Sequence, residues 1–432
     1  MGLLNFIDNL LNSITMYRLV LYGLIFTATA AIFFGFLGLL PYSGIELVFS
    51  LGLLTLVCYL ANYLISKILK IPTNPESPLI TALILFFIFS CKITAFDLTA
   101  LTLSGIIAMA SKYIFTINKK HIFNPAAITV VMLGVSQMGN PVWWIGTEAL
   151  APVVLLIGLL IIRKIRRFSL FFSFLIVCLS TAIFTGVSQN ANLLDLTKLM
   201  LLSTPILFFG FIMLTEPQTT PQTRKFHIMY GALVGFLYSS AFQIGVLYST
   251  PELSLIIANL IFFLINPKKT LILFLKEKTK LSSQIYEFSF TNKDKFNFTP
   301  GQYLEWTVPH SNFDSRGVRR YFTISSSPTE NGIKLVARVN ENSSSLKKTL
   351  LNLGEKQKIV ASGPYGDFIL PKDKNKKLVF IAGGIGVTPF RSIIKSLVDK
   401  NEKRDIVFFY TCATQDAFVF KELFDSASKK LN

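Results

Sequence analysis

Ten apolar stretches fill the first 266 residues, and they limit this chain more than any other feature. They fall near 19–40, 45–66, 79–91, 96–115, 124–138, 148–162, 169–187, 200–214, 228–248 and 251–266. Crossing the hydrocarbon core of a bilayer takes about 20 apolar residues in a helix. Lipid cannot pair a free backbone N–H or C=O, so such stretches must be helical. They predict a polytopic α-helical membrane domain of about ten transmembrane helices over 19–266. Some windows run only 13–16 residues, and those helices are expected to be tilted, partly re-entrant or longer than drawn. Ahead of them Leu3, Leu4, Ile7, Leu10, Leu11 and Ile14 share one helical face. That predicts an interfacial segment, 1–18, lying on the membrane, with a frayed terminus as the alternative. No secretory signal is expected, because the first long run exceeds an h-region and no small-residue cleavage site follows it.

Up to residue 266 there are only eight acidic and fourteen basic side chains, and the basic ones sit between apolar runs. With a cytoplasmic N-terminus the inside loops hold Lys67, Lys70, Lys119, Lys120, Arg163, Lys164, Arg166, Arg167, Arg224 and Lys225. The outside loops hold Lys92 and Lys198. This positive-inside bias predicts a multi-pass protein of the cell membrane with both termini cytoplasmic. Trp143 and Trp144 then fall in an outside loop, as an aromatic belt would place them. The formal charge of +18 lies in these loops and in scattered lysines beyond them, a placement suited to an anionic leaflet, and nucleic acid is not an expected partner. Cys58, Cys91, Cys178 and Cys412 show no cluster spacing, so neither an iron–sulfur centre nor another metal site is expected. Glu46, Asp97, Glu148, Asp195, Glu216 and Glu252 all fall at or near helix ends, and no carboxylate at mid-membrane marks an ion path.

Two polar interruptions stand out: Phe123-Asn124-Pro125-Ala126-Ala127 and Met213-Leu214-Thr215-Glu216-Pro217-Gln218-Thr219-Thr220-Pro221. Such groups must line a cavity or the interface; helix capping is the plainer role for Asn124, Thr215 and Glu216. Both stretches resemble motifs of the membrane proteins that the Rnf and Nqr electron-transport complexes share, the RnfD and NqrB family. There the second motif reads Thr-Asp-Pro-x-Thr-x-Pro, and Glu216 stands here for the Asp. The resemblance covers about 15–266. It implies a place in a membrane electron-transport complex, with other subunits or a soluble electron carrier as partners. Members of that family carry a flavin mononucleotide on a Ser-Gly-Ala-Thr threonine. The tetrapeptide is absent here, and Gly186-Val187-Ser188-Gln189-Asn190-Ala191 keeps only an echo of it. Any FMN in the membrane half is therefore expected to be non-covalent.

From about residue 281 the period changes to short alternating runs, such as 285–290 and 304–308, which predict an antiparallel β-barrel. Four patterns follow in order: Phe298-Thr299-Pro300-Gly301-Gln302-Tyr303, Arg320-Tyr321-Phe322-Thr323-Ile324-Ser325-Ser326, Ser343-Ser344-Ser345-Leu346-Lys347 and Gly363-Pro364-Tyr365-Gly366-Asp367-Phe368. A flavin diphosphate needs a fixed cationic fork, its ring an aromatic or apolar face, and its N5 edge a small hydroxyl. Arg320 and Phe322 share a strand face, Thr323 follows, and 343–347 would offer backbone N–H groups to phosphate. Next, the apolar run 378–382 opens into Gly383-Gly384-Ile385-Gly386-Val387-Thr388-Pro389 and a helical pattern, as pyrophosphate-binding turns do.

Residues 270–432 resemble the ferredoxin–NADP reductase family. The resemblance implies an FAD-binding barrel over 270–375 and a partial α/β NAD(P)-binding domain over 376–432. By it, Arg320, Phe322, Thr323, Ser326, Ser344, Ser345, Gly363 and Gly366 would contact FAD, with Thr323 at the N5 edge as the catalytic candidate. Gly383, Gly384, Gly386, Thr388 and Pro389 would flank NADH or NADPH. The absence of Arg and Lys from 411–417 leans towards NADH. Only 55 residues follow from 378, enough for two strand–helix units, so seating of the nicotinamide is expected to be incomplete. Ferric reductases and NADPH oxidases share the layout but use haems with two His ligands each. His121, His227 and His310 are too few for two haems, so no haem is expected. The expected function is membrane-bound transfer of electrons from NAD(P)H through FAD, with ion coupling left open. The alternatives are an FAD-binding component without NAD(P)H turnover and a pure transporter.

Overall fold

The structure, a computed structural model, describes residues 2–69, 76–117, 120–221, 223–240, 243–244, 247–265, 269–292, 296–314, 317–354 and 357–431. Lys70, Lys119 and Lys268 lie outside the described residues. The chain divides into two compact units, Met1–Pro267 and Lys268–Asn432.

The first unit is helical. It runs α1 (Leu3–Ser13), α2 (Met16–Phe36), α3 (Gly44–Leu69), α4 (Glu76–Ile88), α5 (Ala95–Ile114), α6 (Pro125–Val135), α7 (Ala151–Ile165), α8 (Phe168–Ser188), α9 (Leu193–Leu202), α10 (Ile206–Phe208, continued by a π turn Phe209–Met213), α11 (Arg224–Ser239) and α12 (Pro251–Ile265). Two-residue ribbons, β1/β2 (Thr116–Ile117, Lys120–His121) and β3/β4 (Gln243–Ile244, Leu247–Tyr248), interrupt it. Each apolar window holds a helix. Among the described residues, only α2, α3 and α8 can each cross a membrane unaided by length and composition, with a fourth span if α9 and the helix after it count as one bent by 58°. The expected ten full-length spans are therefore not what helix length gives. α4, α6 and α12 have 13, 11 and 15 residues, about 17–23 Å at 1.5 Å per residue, against roughly 30 Å of hydrocarbon.

The first polar interruption sets where α6 begins. Asn124 accepts from the N–H groups of Ala126 and Ala127, both at 3.0 Å, and Pro125 opens α6. α4 stops inside the unit, and chain after α6 satisfies its last carbonyls: Val142 and Trp143 N–H donate to Ile88 O at 2.8 and 2.9 Å. Trp144 Nε1 adds a bond to Phe86 O at 2.7 Å. Both tryptophans are buried, Trp144 at 3% exposure, so they plug a helix end and do not form the expected lipid-facing belt. α1 forms as a helix, holding Asp8 against Arg163 and burying Leu11.

The second unit opens on a six-stranded antiparallel sheet of β5 (Lys269–Lys280), β6 (Ile285–Asn292), β7 (Tyr303–Thr307), β8 (Arg319–Thr323), β9 (Ile333–Arg338) and β10 (Lys358–Tyr365), in the order β8-β7-β10-β5-β6-β9. Alternating Leu273, Phe288, Phe290, Leu304, Trp306 and Leu335 bury one face, and α13 (Ser345–Leu351) adds Leu346 and Leu350. The sheet is curled: β8 and β9 are its edges and share no ladder. Chain just past β8 joins them, Ser325 N–H donating to Lys334 O at 2.9 Å. The remainder is β11 (Leu378–Gly383), α14 (Thr388–Lys400), β12 (Ile406–Thr411) and α15 (Lys421–Leu431), with β11 and β12 parallel. Phe380, Ala382, Phe390, Ile393 and Leu397 pack with Ile285 and Val336 of the sheet into one core.

Candidate functional site

β8 carries the predicted flavin residues, and its register with β7 sorts them by face. Leu304 pairs with Phe322 and Tyr303 with Thr323. Phe322 packs half-buried against the core of the sheet. Thr323 lies on the other face, across from Tyr303, which in turn lies across from Tyr365 on β10. Tyr303, Tyr321 and Tyr365 meet edge-on in a triangle, with centroids 5.5, 5.8 and 6.3 Å apart. The aromatic wall beside the Thr323 hydroxyl is thus made of tyrosines; alternation along one strand singled out Phe322, and only cross-strand register brings Tyr303 and Tyr365 forward. Gly366 closes this wall at φ +100°, where a Cβ would lie 2.8 Å from the Tyr303 ring. Gly363 sits on β10 behind Leu304.

Arg320 heads the same strand. Its Nη2 donates to Asp314 Oδ1 at 3.1 Å, and its Nη1 to Gly317 O and Arg319 O at 3.2 and 2.6 Å. The second Asp314 oxygen accepts from Ser345 N–H at 3.1 Å, and Ser345 Oγ accepts from Asp314 N–H at 3.0 Å. His310 Nε2 lies 3.0 Å from that hydroxyl. A carboxylate therefore sits between the Arg320 fork and the Ser345 N–H, the two donors predicted to receive phosphate. It stands in for an anion, and the donor set fits a diphosphate. Ser344 lines a neighbouring surface cavity of about 230 Å³ with Arg338, Asn340, Ser343 and Lys347. Ser326 is fully buried; its hydroxyl accepts from Lys334 N–H at 3.1 Å.

The Gly-rich turn leaves β11 at Gly383, winds as a 3-10 turn over Gly384–Val387 and enters α14 at Thr388, with Pro389 in the first turn. Thr388 Oγ1 donates back to Ile385 O at 3.3 Å. No atom lies within 4 Å of where a Cβ would stand at Gly384 or Gly386, and Gly383 meets only Thr411 Oγ1 at 4.0 Å. The backbone is bare on that side, as close approach of a pyrophosphate requires.

In the membrane unit the two polar stretches do converge. Asn124, Thr215, Glu216 and Gln218 line one cavity of about 90 Å³, with Ser77, Thr81, His121 and Lys112. That is room for about three waters. Lys112 Nζ donates to Ser77 O, Ser77 Oγ and Thr81 Oγ1 at 3.1, 2.9 and 2.8 Å. This lysine lies inside the 96–115 window and not between apolar runs as expected of the basic residues, and lipid-span chemistry marks such a residue by default. Elsewhere Glu252 is buried at the start of α12 and accepts from Trp143 Nε1 at 3.3 Å. Among the described residues no group of three or more His, Cys, Asp or Glu could hold a metal ion.

Comparison with known proteins divides the chain the same way. Residues 137–270 match the NQR2, RnfD, RnfE family, 272–369 the oxidoreductase FAD-binding domain and 380–432 the oxidoreductase NAD-binding domain. Among curated proteins, a flavohemoprotein of Halalkalibacterium halodurans is 24% identical over 144 residues, 31% of this chain and 35% of that protein. Protein RfbI of Salmonella typhimurium is 29% identical over 116 residues, 27% and 33% of the two chains. The chain spans about a third of the length of such relatives. Among solved structures, Amycolatopsis cytochrome P450 reductase GcoB aligns at 21% identity and TM-score 0.35, covering 38% of this chain and 50% of that one. Ferredoxin-NADP+ reductase from Plasmodium falciparum aligns at 21% and 0.33, covering 38% and 67%.

Proposed function

We propose that this membrane protein, which continues an NQR2/RnfD/RnfE-family domain into FAD-binding and NAD-binding oxidoreductase domains, takes electrons from NADH or NADPH through FAD and passes them to a membrane electron-transport partner. FAD, when bound, supplies a two-electron acceptor that can hand electrons on singly. The chain's own residues do the rest. Arg320 and the Ser345 N–H hold the diphosphate where Asp314 now lies. Across the β8 edge, on the opposite face of that strand, Tyr303, Tyr321 and Tyr365 cover the ring, and the Thr323 hydroxyl donates at its N5 edge. The bare backbone at Gly384 and Gly386 receives the nucleotide phosphates, with Thr388 and Pro389 shaping the helix entry. The observation that carries this assignment is the cradle, in which an arginine fork and a backbone N–H already hold an anion.

We assign 270–375 to the FAD-binding barrel and 376–432 to the nucleotide half, with 1–18 on the membrane surface and ten crossings between, the shorter helices completed by their capped ends. Both termini face the cytoplasm of a plasma-membrane protein, and any FMN in the membrane half is held non-covalently.

One observation favours a second function, FAD binding without NAD(P)H turnover. Val379, Ile381, Val407 and Phe409 are half or more exposed, so the β11–β12 sheet is covered on one face only, whereas parallel sheets are ordinarily covered on both. Purified chain in detergent separates the two. Acid precipitation should release FAD, and NADH or NADPH should drive anaerobic ferricyanide reduction; released FAD without reduction selects the second function.

A further inference from the structure

A buried ion pair joins the nucleotide half to the loop that follows the strand carrying Thr323. Arg391 lies five residues beyond Gly386, in the first turns of α14, and is 7% exposed. Its Nη2 donates to Glu330 Oε1 at 2.9 Å and its Nη1 to Glu330 Oε2, so the fork engages the carboxylate twice. Nη1 also donates to Ser325 O at 3.0 Å, and the next residue, Ser392, donates to Ser326 O at 2.7 Å. Glu330 is held from the other side by Ser327 N–H at 2.7 Å. The guanidinium lies 5.6 Å from the centroid of the Phe420 ring. The bonds from Arg391 and Ser392 all run from the start of α14 to residues 325–330, the loop after Thr323.

Building on the oxidoreductase function proposed above, we infer that Arg391 and Glu330 are positioning residues that set the gap between the Gly384–Gly386 turn and the Thr323 edge of β8. The physical case is one of leverage. Hydride transfer needs donor and acceptor about 3–3.5 Å apart, and a misplacement of about 1 Å can lower the rate by 10²-fold. Among the described residues the nucleotide half has two parallel strands and no ladder to the curled sheet. Its place is therefore set by side-chain contacts, and a buried bidentate arginine–carboxylate pair is the stiffest kind available. Beside the shared apolar core, two further polar links, Thr329 to Asp399 and Ser283 to Asp416, are exposed and yield more easily.

The test uses full-length protein in detergent carrying Arg391→Lys, which keeps the charge and loses the fork, and separately Glu330→Gln, which keeps the shape. FAD content, anaerobic stopped-flow reduction by NADH and the early long-wavelength absorbance of nicotinamide stacked on oxidised flavin are measured together. We expect both variants to retain FAD, to lose that absorbance, and to show a limiting rate lower by about 10²-fold with NADH affinity changed by less than about threefold. FAD-loaded variants with the wild-type rate and absorbance overturn the inference. So does weakened NADH affinity at an unchanged limiting rate, which would make Arg391 a nucleotide ligand. Release of FAD by both variants makes the pair a fold element only, and overturns it as well. Wild-type protein that holds FAD and is never reduced overturns the oxidoreductase function itself, and this inference falls with it.

Discussion

Arg320 and Asp314 face each other across 3.1 Å, and removing either charge should move flavin binding in opposite directions. Arg320→Ala deletes a charge-assisted contact to phosphate and should weaken FAD retention by about 1.5–3 kcal/mol, read as the dissociation constant of FAD from deflavinated full-length protein. Asp314→Asn removes the carboxylate that the diphosphate must displace, so FAD should bind more tightly. Looser binding would show that Asp314 orients Arg320 in the loaded site. Gly386→Val is a sharper probe of the nucleotide side. A Cβ at that position meets nothing within 4 Å, so the melting temperature should hold while NADH affinity falls by at least about tenfold, roughly 1.4 kcal/mol. Unchanged affinity would place the nucleotide elsewhere.

At the scale of elements, the link between α14 and the loop after β8 should show in the pH dependence of stability. Burial pushes the Glu330 carboxyl up, but hydrogen bonds and charge from Arg391, with Ser327 N–H and Lys334, outweigh this and hold it below the ordinary range. A folded-state pKa below the unfolded value adds stability above the ordinary glutamate pKa of about 4.3, and the gain disappears as pH falls through the folded value. The difference in melting temperature between wild type and Glu330→Gln should therefore narrow as pH drops from 6 towards 3; a constant difference would exclude the ion pair as its source. Elements of this kind were unevenly legible. Alternation marked β6 and β7, and the apolar run before Gly383 marked β11, because strand period and Gly punctuation are local signals. Trp143 and Trp144 misled, since nothing local shows that chain beyond α6 returns to cap Ile88 and Phe86. The Tyr303–Thr323 and Arg391–Glu330 partnerships were hidden for the same reason: each joins residues far apart in sequence. Short helices such as α6 were visible as windows, but whether one spans a bilayer depends on what pairs its ends.

On the scale of the whole molecule, ten basic side chains in alternate loops against two in the others predict an orientation that can be probed directly. A reporter fused after residue 432 should read as cytoplasmic, and Asn190→Cys, in the exposed turn after α8, should react with an impermeant thiol reagent from outside intact cells; the reverse pattern would invert the topology. The central claim is that this membrane protein takes electrons from a nicotinamide nucleotide through FAD. It is tested most directly by adding NADH, then NADPH, to the purified full-length protein under anaerobic conditions and following flavin absorbance. A bound FAD should bleach with at least one of the two and recover on admission of an electron acceptor. FAD that stays oxidised in the presence of both nucleotides would contradict it.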